Sequence, residues 1–282
     1  MAYTAHEDGR GTRMMVDANG SRFHCRVDGP DRVDGPAGAP WIAFSNSLAT
    51  DLSMWDDQAA FFARRYRVLR YDQRGHGLSA APEGDYDFAL LVADALALLD
   101  AHGIERCHFV GLSMGGVTAL GLAERHGARL LSVAVCDANG ASSPEGARAW
   151  SERCTLARAQ GIEALVEPTV KRWFHPDYYA RNPAGLEKVR GMIRTTPLAG
   201  FLGCAAALSD YDYKTDLGRI RVPTLFLAGA EDGAVPQGMR AMAASVPGAR
   251  YAEVSPAGHI SNIEQPEAFT EALGDFIASV AS

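Results

Sequence analysis

The stretch Gly111-Leu112-Ser113-Met114-Gly115-Gly116 determines how the rest of the sequence is interpreted. The apolar run Cys107–Gly111 that leads into it is typical of a buried strand, and Met114–Arg125 after it is typical of a helix. A serine on a tight strand-to-helix turn is held clear of the sheet, and glycine neighbours relieve the crowding there. We therefore predict Ser113 as a nucleophile at the carboxyl end of a strand. The alternative is a glycine-rich turn that carries an ordinary solvated serine.

Strand-like and helix-like segments alternate on both sides of this motif. Short apolar or alternating runs predict strands, and longer runs with apolar residues three or four positions apart predict helices. The predicted strands are Thr12–Val16, Ser21–Val27, Trp41–Ser45, Arg67–Tyr71, Cys107–Gly111, Leu130–Cys136, Pro223–Ala228 and Ala249–Val254. The predicted helices are Ser53–Tyr66, Phe88–Ala101, Met114–Arg125, Pro236–Val246 and Pro266–Val280. This alternation predicts an α/β fold with a mostly parallel, doubly wound sheet that has helices on both faces.

The alternation is interrupted by a long segment without strand signals. From Ala138 to about Thr215 the sequence favours helices, and Asn182-Pro183 and Thr196-Pro197 each pair a capping side chain with a proline suited to a first helical turn. We predict a helical cap inserted after the sixth strand. The expected division is a core of residues 1–137 and 216–282 and a cap of residues 138–215.

Two later strands end in residues that would activate the serine. A serine hydroxyl is a weak nucleophile until a base takes its proton. Asp232 follows the strand Pro223–Ala228, with Glu231 as the alternative acid, and His259 follows the strand Ala249–Val254. Because carboxyl ends of parallel strands meet at one edge of a sheet, we predict a Ser113–His259–Asp232 triad. Taken alone, His259 would be a surface histidine and Asp232 a turn former.

A tetrahedral intermediate also needs backbone donors for its oxyanion. One donor usually comes from the residue after the nucleophile, and a second from an early strand-to-helix loop. Met114 N–H takes the first position. The loop Asn46-Ser47-Leu48 follows an early predicted strand, and we predict Leu48 N–H as the second donor. The alternative for this loop is a plain connector.

Composition excludes several other classes of function. Twenty-seven Lys and Arg against 34 Asp and Glu give a net charge of −7, which argues against a nucleic-acid partner. No apolar run is long enough to span a bilayer, and residues 1–13 are polar, so we expect no membrane association. Five scattered cysteines without a CxxC pair indicate a reduced, cytoplasmic protein. Metal-ligand, dinucleotide and P-loop motifs are absent from the sequence, so we expect no cofactor and no metal. The oligomeric state is left open.

The motifs together resemble the α/β-hydrolase family and, within it, the 3-oxoadipate enol-lactonases. The general resemblance extends from about Gly20 to Phe276. The stretches that carry it are Phe44–Leu52 with Met54-Trp55, Tyr71–Ser79, Arg172-Trp173-Phe174, the region from Arg190 to Asp210, and Gly258–Pro266. One departure lies at Cys136-Asp137-Ala138-Asn139-Gly140-Ala141, where the family more usually has Asn-Thr-Ala or Asp-Thr-Ala. That segment leads into the cap, so the departure bears on the substrate.

The resemblance implies a carboxylic ester or lactone hydrolase that opens a small carboxylated enol-lactone through an acyl-enzyme, in aromatic catabolism. An anionic substrate should meet a cation in the pocket. The cap offers Lys171, Arg172, Arg190 and Arg194; we favour Arg190, with Arg172 second, against the alternative of solvated surface charges. Trp55 and Trp173 are the predicted pocket walls, against simple core packing.

Three further hypotheses remain open at this point. The same triad could serve a general carboxylesterase or a carbon–carbon bond hydrolase acting on ring-cleavage products. A third possibility is a ligand-binding module that reuses the hydrolase fold without catalysis. An intact set of Ser113, Asp232 and His259 argues against the binding module, because a pure binder need not retain all three.

Overall fold

A single sheet organises the chain. The computed structural model describes residues 6–7, 12–29 and 38–280, so most of the polar segment 1–13 lies outside the described residues. The strands within those ranges are β1 (His6–Glu7), β2 (Thr12–Ala18), β3 (Ser21–Asp28), β4 (Trp41–Ser45), β5 (Arg67–Tyr71), β6 (Cys107–Leu112), β7 (Leu130–Cys136), β8 (Thr224–Gly229) and β9 (Arg250–Val254). Their order in the sheet is β1-β2-β3-β5-β4-β6-β7-β8-β9.

The sheet is antiparallel at one side and parallel elsewhere. Strands β1 to β3 form an antiparallel meander, and β3 pairs antiparallel with β5. From β5 through β4, β6, β7 and β8 to β9, every pairing is parallel. The parallel register places Ser45 beside Gly111, Leu112 beside Cys136 and Gly229 beside Val254. The carboxyl ends that precede the predicted site residues therefore lie along one edge.

Helices cover both faces of this sheet, as the alternation predicts. They are α1 (Asp56–Phe62), α2 (Phe88–Ala101), α3 (Met114–His126), α9 (Val235–Ser245), α10 (Ser261–Glu264) and α11 (Pro266–Ser279). The single helix predicted over Ser53–Tyr66 is wrong in detail. Residues Leu52–Trp55 form a 3₁₀ turn, because the Asp51 carboxylate caps Ser53 N–H at 2.8 Å, and α1 begins only at Asp56. The prediction of an α/β-hydrolase fold is otherwise confirmed, with β1 as one unpredicted strand.

Five helices lie between β7 and β8, and we call residues 144–209 the α4–α8 insertion. They are α4 (Pro144–Gln160), α5 (Glu163–Trp173), α6 (Pro176–Arg181), α7 (Ala184–Thr195) and α8 (Leu198–Ser209). The predicted capping is wrong by one residue: Pro183 and Pro197 are themselves the N-caps. Asn182 instead ends α6 in a left-handed conformation, and the Thr196 hydroxyl donates to Met192 O.

The insertion meets the rest of the chain through a backbone-to-backbone contact. Gly75, in the loop after β5, has φ +82°, and Gly200 lies in the first turns of α8. A Cβ on Gly200 would lie 1.9 Å from Gly75 O, and a Cβ on Gly75 would lie 2.4 Å from Gly200 Cα. Glycine is required at both positions because no side chain fits between the two segments.

In the described part of the chain, no single helix is long and apolar enough to cross a membrane. Only α7 and α8 taken together have such a length and composition, and they are bent by 99° at the break between them.

Candidate active site

Ser113 lies at the turn between β6 and α3 in a strained backbone conformation. Its φ of 56° and ψ of −114° are uncommon for a residue with a side chain, and Ser113 N–H donates to Cys136 O at 2.8 Å. A Cβ on Gly111 would lie 1.9 Å from Gly115 O, and one on Gly115 would lie 2.2 Å from Ser45 O. The two glycines of the motif are therefore needed for the close packing that holds Ser113 at the edge of the sheet.

The structure brings the three predicted triad residues into one hydrogen-bonded chain. His259 Nε2 lies 2.9 Å from Ser113 Oγ, and His259 Nδ1 lies 2.7 Å from Asp232 Oδ2. An ionised carboxylate only accepts, so Nδ1 carries the ring proton and Nε2 is free to accept from the serine hydroxyl. The arrangement can therefore generate a serine nucleophile.

The alternative acid, Glu231, does not contact the imidazole. Its Oε2 accepts from Ala257 N–H at 2.7 Å, and its Oε1 lies 3.3 Å from Ser255 Oγ. The carboxylate thus braces the loop that carries His259, and a side chain engaged in this way cannot orient the ring.

The surroundings of His259 favour its protonated form. Burial by itself lowers the pKa of His259, and Arg172 acts in the same direction. The Asp232 carboxylate more than offsets both through its charge and its hydrogen bond, so the pKa of His259 is raised above its usual 6.5. A base with a raised pKa accepts the serine proton more readily, provided that the imidazole is neutral at the start.

A second carboxyl group, Asp137, lies beside the triad and was not among the predicted site residues. Asp137 directly follows β7 with φ 45° and is almost wholly buried. Gly229 N–H donates to its Oδ1 at 2.6 Å, and Ser261 Oγ lies 2.5 Å from its Oδ2. Burial and the Asp232 charge raise the pKa of Asp137 to about 8, against the opposing effects of His259 and the two hydrogen bonds. Its place at the end of a strand, like that of Asp232, was the signal that could have identified it.

The two predicted oxyanion donors lie next to the nucleophile. Met114 is the first residue of α3, and Leu48 lines the same pocket as Ser113. Among the described residues, neither Leu48 N–H nor Met114 N–H has a hydrogen-bond acceptor. Both N–H groups are thus left without a partner by the described protein, as oxyanion donors would have to be.

A pocket of about 230 Å³ opens over Ser113. The lining residues from the sheet edge and adjoining segments are Leu48, Ser113, Val117, Asp137, Ala138, Asn139, Asp232, Val235 and His259. Those from the insertion are Trp150, Arg153, Arg172, Trp173 and Leu208, and Tyr211 follows just after it. Trp173 is a pocket wall as predicted in position, with its ring 5.7 Å from the His259 ring and its carbonyl accepting from His259 N–H at 2.6 Å.

Trp55 is not a wall of the pocket, which corrects the prediction. It is completely buried, with its ring 4.7 Å from Phe44 and 6.1 Å from Phe269. Its Nε1–H donates to Asn46 Oδ1 at 3.0 Å. Trp55 therefore packs in the core against β4 and α11 and supports the Asn46–Leu48 loop through Asn46.

Arg190, the favoured cation, also lies away from the pocket. Its guanidinium is bound by Glu167, Glu187 and Asn182, with N–O distances of 2.5 to 2.6 Å. Arg194 is paired with Glu163 in the same way, and Lys171 is exposed outside the pocket. Acidic residues of α5 and α7 thus hold these arginines away from the pocket lining.

Arg172 and Arg153 are the cations that line the pocket. In the part of the chain that the structure describes, neither forms a hydrogen bond or an ion pair with a protein group; Arg153 lies with its Cζ 4.5 Å from the centre of the Trp150 ring. The Arg172 side chain is exposed to solvent on part of its surface. Desolvation by neighbouring protein, with the Arg153 charge, lowers its pKa to about 10, which Asp232 opposes. Both remain cations near neutral pH. Arg153 was missed, although its spacing of three residues from Trp150 on a helix indicates a shared face.

Comparison with known proteins agrees with this fold. A family model described as "Alpha/beta hydrolase family" matches residues 37–272. The chain therefore belongs to the α/β-hydrolase family and is a hydrolase.

Three relatives illustrate the similarity. A 3-oxoadipate enol-lactonase of Acinetobacter baylyi is 38% identical over 239 residues, covering 85% of this chain and 89% of that protein. A protein of Pseudomonas savastanoi pv. phaseolicola that is named for carbamate hydrolysis is 33% identical over 245 residues, covering 86% and 95%. The crystal structure of the enol-lactonase from Burkholderia xenovorans is 41% identical with a TM-score of 0.88, covering 94% of this chain and 100% of that one.

Proposed function

We propose that this protein is a serine hydrolase that opens a small carboxylated enol-lactone through an acyl-enzyme, as in the hydrolysis of 3-oxoadipate enol-lactone in aromatic catabolism. The observation that carries the proposal is a Ser113–His259–Asp232 chain that opens into a pocket with two arginines that have no hydrogen-bond or ion-pair partner among the described residues. The similarity to enol-lactonases supports this substrate class. Five cysteines without a disulfide fit the cytoplasmic location that forms part of the proposal.

The first half of the reaction forms the acyl-enzyme. His259 Nε2 takes the proton of Ser113 Oγ as that oxygen bonds to the lactone carbonyl carbon. Leu48 N–H and Met114 N–H donate to the oxyanion, which is stabilised there more than the planar carbonyl is. The ring C–O bond then breaks. The enol oxygen leaves with a proton from His259, and the enol tautomerises to a ketone.

The second half releases the product. His259 removes a proton from water as the hydroxyl oxygen bonds to the acyl carbon, and the same two N–H groups bind the second oxyanion. The Ser113 ester bond breaks, and the proton returns from His259 to Ser113 Oγ. The product is a keto acid with one more carboxyl group than the lactone. Asp232 stays ionised throughout and stabilises the imidazolium.

Arg172, assisted by Arg153, is proposed to bind the substrate carboxylate. Both line the pocket and neither has an acceptor in the described protein, so an incoming carboxylate would supply the missing charge. Trp173 would bound the ring on the side of His259. We further propose that residues 138–215 form a cap over this pocket, with 1–137 and 216–282 as the hydrolase core.

A substrate panel tests the proposal against its alternatives. The panel holds a carboxylated enol-lactone, its methyl ester, p-nitrophenyl acetate, a carbamate and a ring-cleavage diketone. The proposal expects the highest kcat/KM for the carboxylated lactone. Faster turnover of the neutral ester would favour a general carboxylesterase, and carbon–carbon cleavage of the diketone would favour that class of hydrolase. A serine-directed phosphonate followed by mass spectrometry distinguishes a binding module, which would carry no adduct on Ser113.

A further inference from the structure

In the loop between β4 and the 3₁₀ turn, two of three successive backbone N–H groups have a partner in the described protein and one does not. Ser47 N–H lies 3.4 Å from Met54 Sδ, and Ala49 N–H donates to His76 Nε2 at 2.9 Å. Leu48 N–H, between them, has no acceptor among the described residues, and Leu48 lines the pocket with Ser113. The bonds on either side therefore secure the loop and leave one donor unused.

Ala49 adopts an unusual backbone conformation to make this possible. Its φ of 58° is in the left-handed region, which is unfavourable for a residue with a Cβ, so surrounding contacts must hold it. The contact made by its own N–H is the bond to His76. A peptide unit that lost this bond would be free to rotate, and the Leu48–Ala49 segment would rotate with it.

The geometry of His76 fixes its tautomer. Its ring is completely buried, and Nδ1 lies 3.1 Å from Arg74 O while Nε2 lies 2.9 Å from Ala49 N. A carbonyl oxygen only accepts and a backbone N–H only donates, so Nδ1 carries the proton and Nε2 does not. An imidazolium would direct two N–H groups at each other across the second bond.

We propose that His76 is a positioning residue that holds Ala49 in its left-handed conformation and thereby keeps Leu48 N–H available as an oxyanion donor. This inference rests on the proposed function, specifically on the oxyanion role of Leu48. His76 touches no substrate in this account and acts through the loop alone.

The charges around His76 are compatible with a permanently neutral ring. Burial lowers the pKa of His76, against weaker effects of Arg74 O and the Asp72 charge. The Asp72 carboxylate is already engaged by Leu52 N–H at 2.7 Å, Leu78 N–H at 2.9 Å and His24 Nδ1 at 2.7 Å, and it forms no bond to His76. Burial therefore favours the neutral ring that the two hydrogen bonds of His76 require.

Two amide substitutions of His76 distinguish the contribution of Nε2 from that of Nδ1. In His76→Gln, the longer side chain can present Oε1 near the position of Nε2 and accept from Ala49 N–H. In His76→Asn, the shorter side chain can present an N–H near Nδ1 to Arg74 O but cannot reach Ala49. Both variants bury one amide in place of one imidazole, so they form a matched pair.

The expected result is a difference between the two variants in kcat. Losing an oxyanion donor costs about 10²–10³-fold in kcat, so His76→Asn should lose at least about 30-fold with KM changed less than about threefold. His76→Gln should retain kcat within about fivefold of wild type, because it keeps the acceptor. A trifluoromethyl ketone, whose adduct carries an oxyanion, should bind His76→Asn more weakly, whereas a planar product acid should not.

Equal kcat losses in both variants, or losses confined to KM, would overturn the proposal. His108→Asn is the control for a buried histidine replaced by an amide, because His108 bonds to Ser132 Oγ, packs edge-on against the Tyr66 ring and does not line the pocket. If His76→Asn does not fold, His76→Gln decides alone: a folded His76→Gln that loses 100-fold or more in kcat refutes the role.

The assay uses p-nitrophenyl acetate as well as the lactone. Turnover of this neutral ester needs the oxyanion donors but no substrate carboxylate. A wild-type enzyme that hydrolyses the ester and not the lactone would therefore defeat the proposed substrate while the comparison of His76→Gln with His76→Asn stayed readable.

Discussion

The edge of the sheet and the α4–α8 insertion differ in whether the polar side chains that they contribute to the pocket have protein partners. At the sheet edge, Ser113, His259, Asp232 and Asp137 each have a hydrogen-bond partner at 2.9 Å or less. In the insertion, Arg190 lies away from the pocket and is paired, whereas the arginines that line the pocket have no such partner in the described part of the chain. A polar network whose hydrogen bonds are all formed is rigid. A cation without a protein partner can instead bind an anionic ligand. The chemistry should therefore belong to the edge, and the choice of substrate to the insertion.

The strongest test of this division removes the nucleophile. Ser113→Ala is expected to lose at least about 10⁴-fold in kcat on every substrate, lactone or neutral ester, because no acyl-enzyme can form. Steady-state rates on both substrates measure this, with the melting temperature as the check on folding. Near-normal turnover by a folded variant would refute the role of the sheet edge.

Arg172→Ala should break the substrate choice while leaving the chemistry. A hydrogen bond to a charged group contributes about 1.5–3 kcal/mol, so kcat/KM for the carboxylated lactone should fall about 10- to 100-fold. Turnover of p-nitrophenyl acetate should change by less than about threefold, since no carboxylate is involved. Arg153→Ala should act in the same direction. Equal losses of kcat/KM on both substrates would mean that Arg172 takes part in the reaction itself, and they would contradict the division between sheet edge and insertion.

The pH dependence of kcat/KM tests the role of Asp137, a residue of the sheet edge that lines the substrate pocket. Asp137 lines the pocket, and its pKa is raised to about 8, so its carboxyl group is mostly neutral below that pH and gains a charge above it. The added charge, beside Asp232 and His259, should repel an anionic substrate. The kcat/KM for the lactone should then fall above about pH 8, with a smaller fall for the neutral ester.

Asp137→Asn should remove that alkaline fall, because the amide keeps the shape of the carboxyl group without its titration. The acid limb belongs to His259, which must be neutral to act as a base. Its pKa is raised in the wild type, so this limb should lie above the usual 6.5 there and should remain in the variant, because Asp232 contributes more to the rise than Asp137. An alkaline fall that persists unchanged in Asp137→Asn would show that another group causes it.

Arg190→Ala should have the smallest effect. Arg190 binds Glu167 and Glu187 away from the pocket; both carboxylates are exposed to solvent, and ion pairs that solvent reaches contribute about 0–1 kcal/mol each. We expect kcat/KM on both substrates within about twofold of wild type and a small decrease in melting temperature. A selective loss of lactone turnover would mean that the insertion rearranges to bring Arg190 to the substrate.

The sheet edge was more predictable than the insertion for a physical reason. Parallel pairing brings every strand end to one edge, so order along the chain alone places Asp232 and His259 near Ser113. No comparable rule relates helices α4 and α5, whose rotation depends on packing. The sequence therefore favoured Arg190 over Arg172, whereas the pocket is lined by Arg172 and Arg153, and it placed Trp55 at the pocket although that ring lies in the core.

The contact between Gly75 and Gly200 has a consequence for how the sequence can diversify. A methyl group at either glycine would force the two backbones apart, and α8 would move away with Leu208, which lines the pocket. Selection on the fit of a ligand therefore reaches two residues that line no part of the pocket. A substitution at Gly75 or Gly200 is therefore expected to be tolerated only after the backbone of the facing segment has moved away.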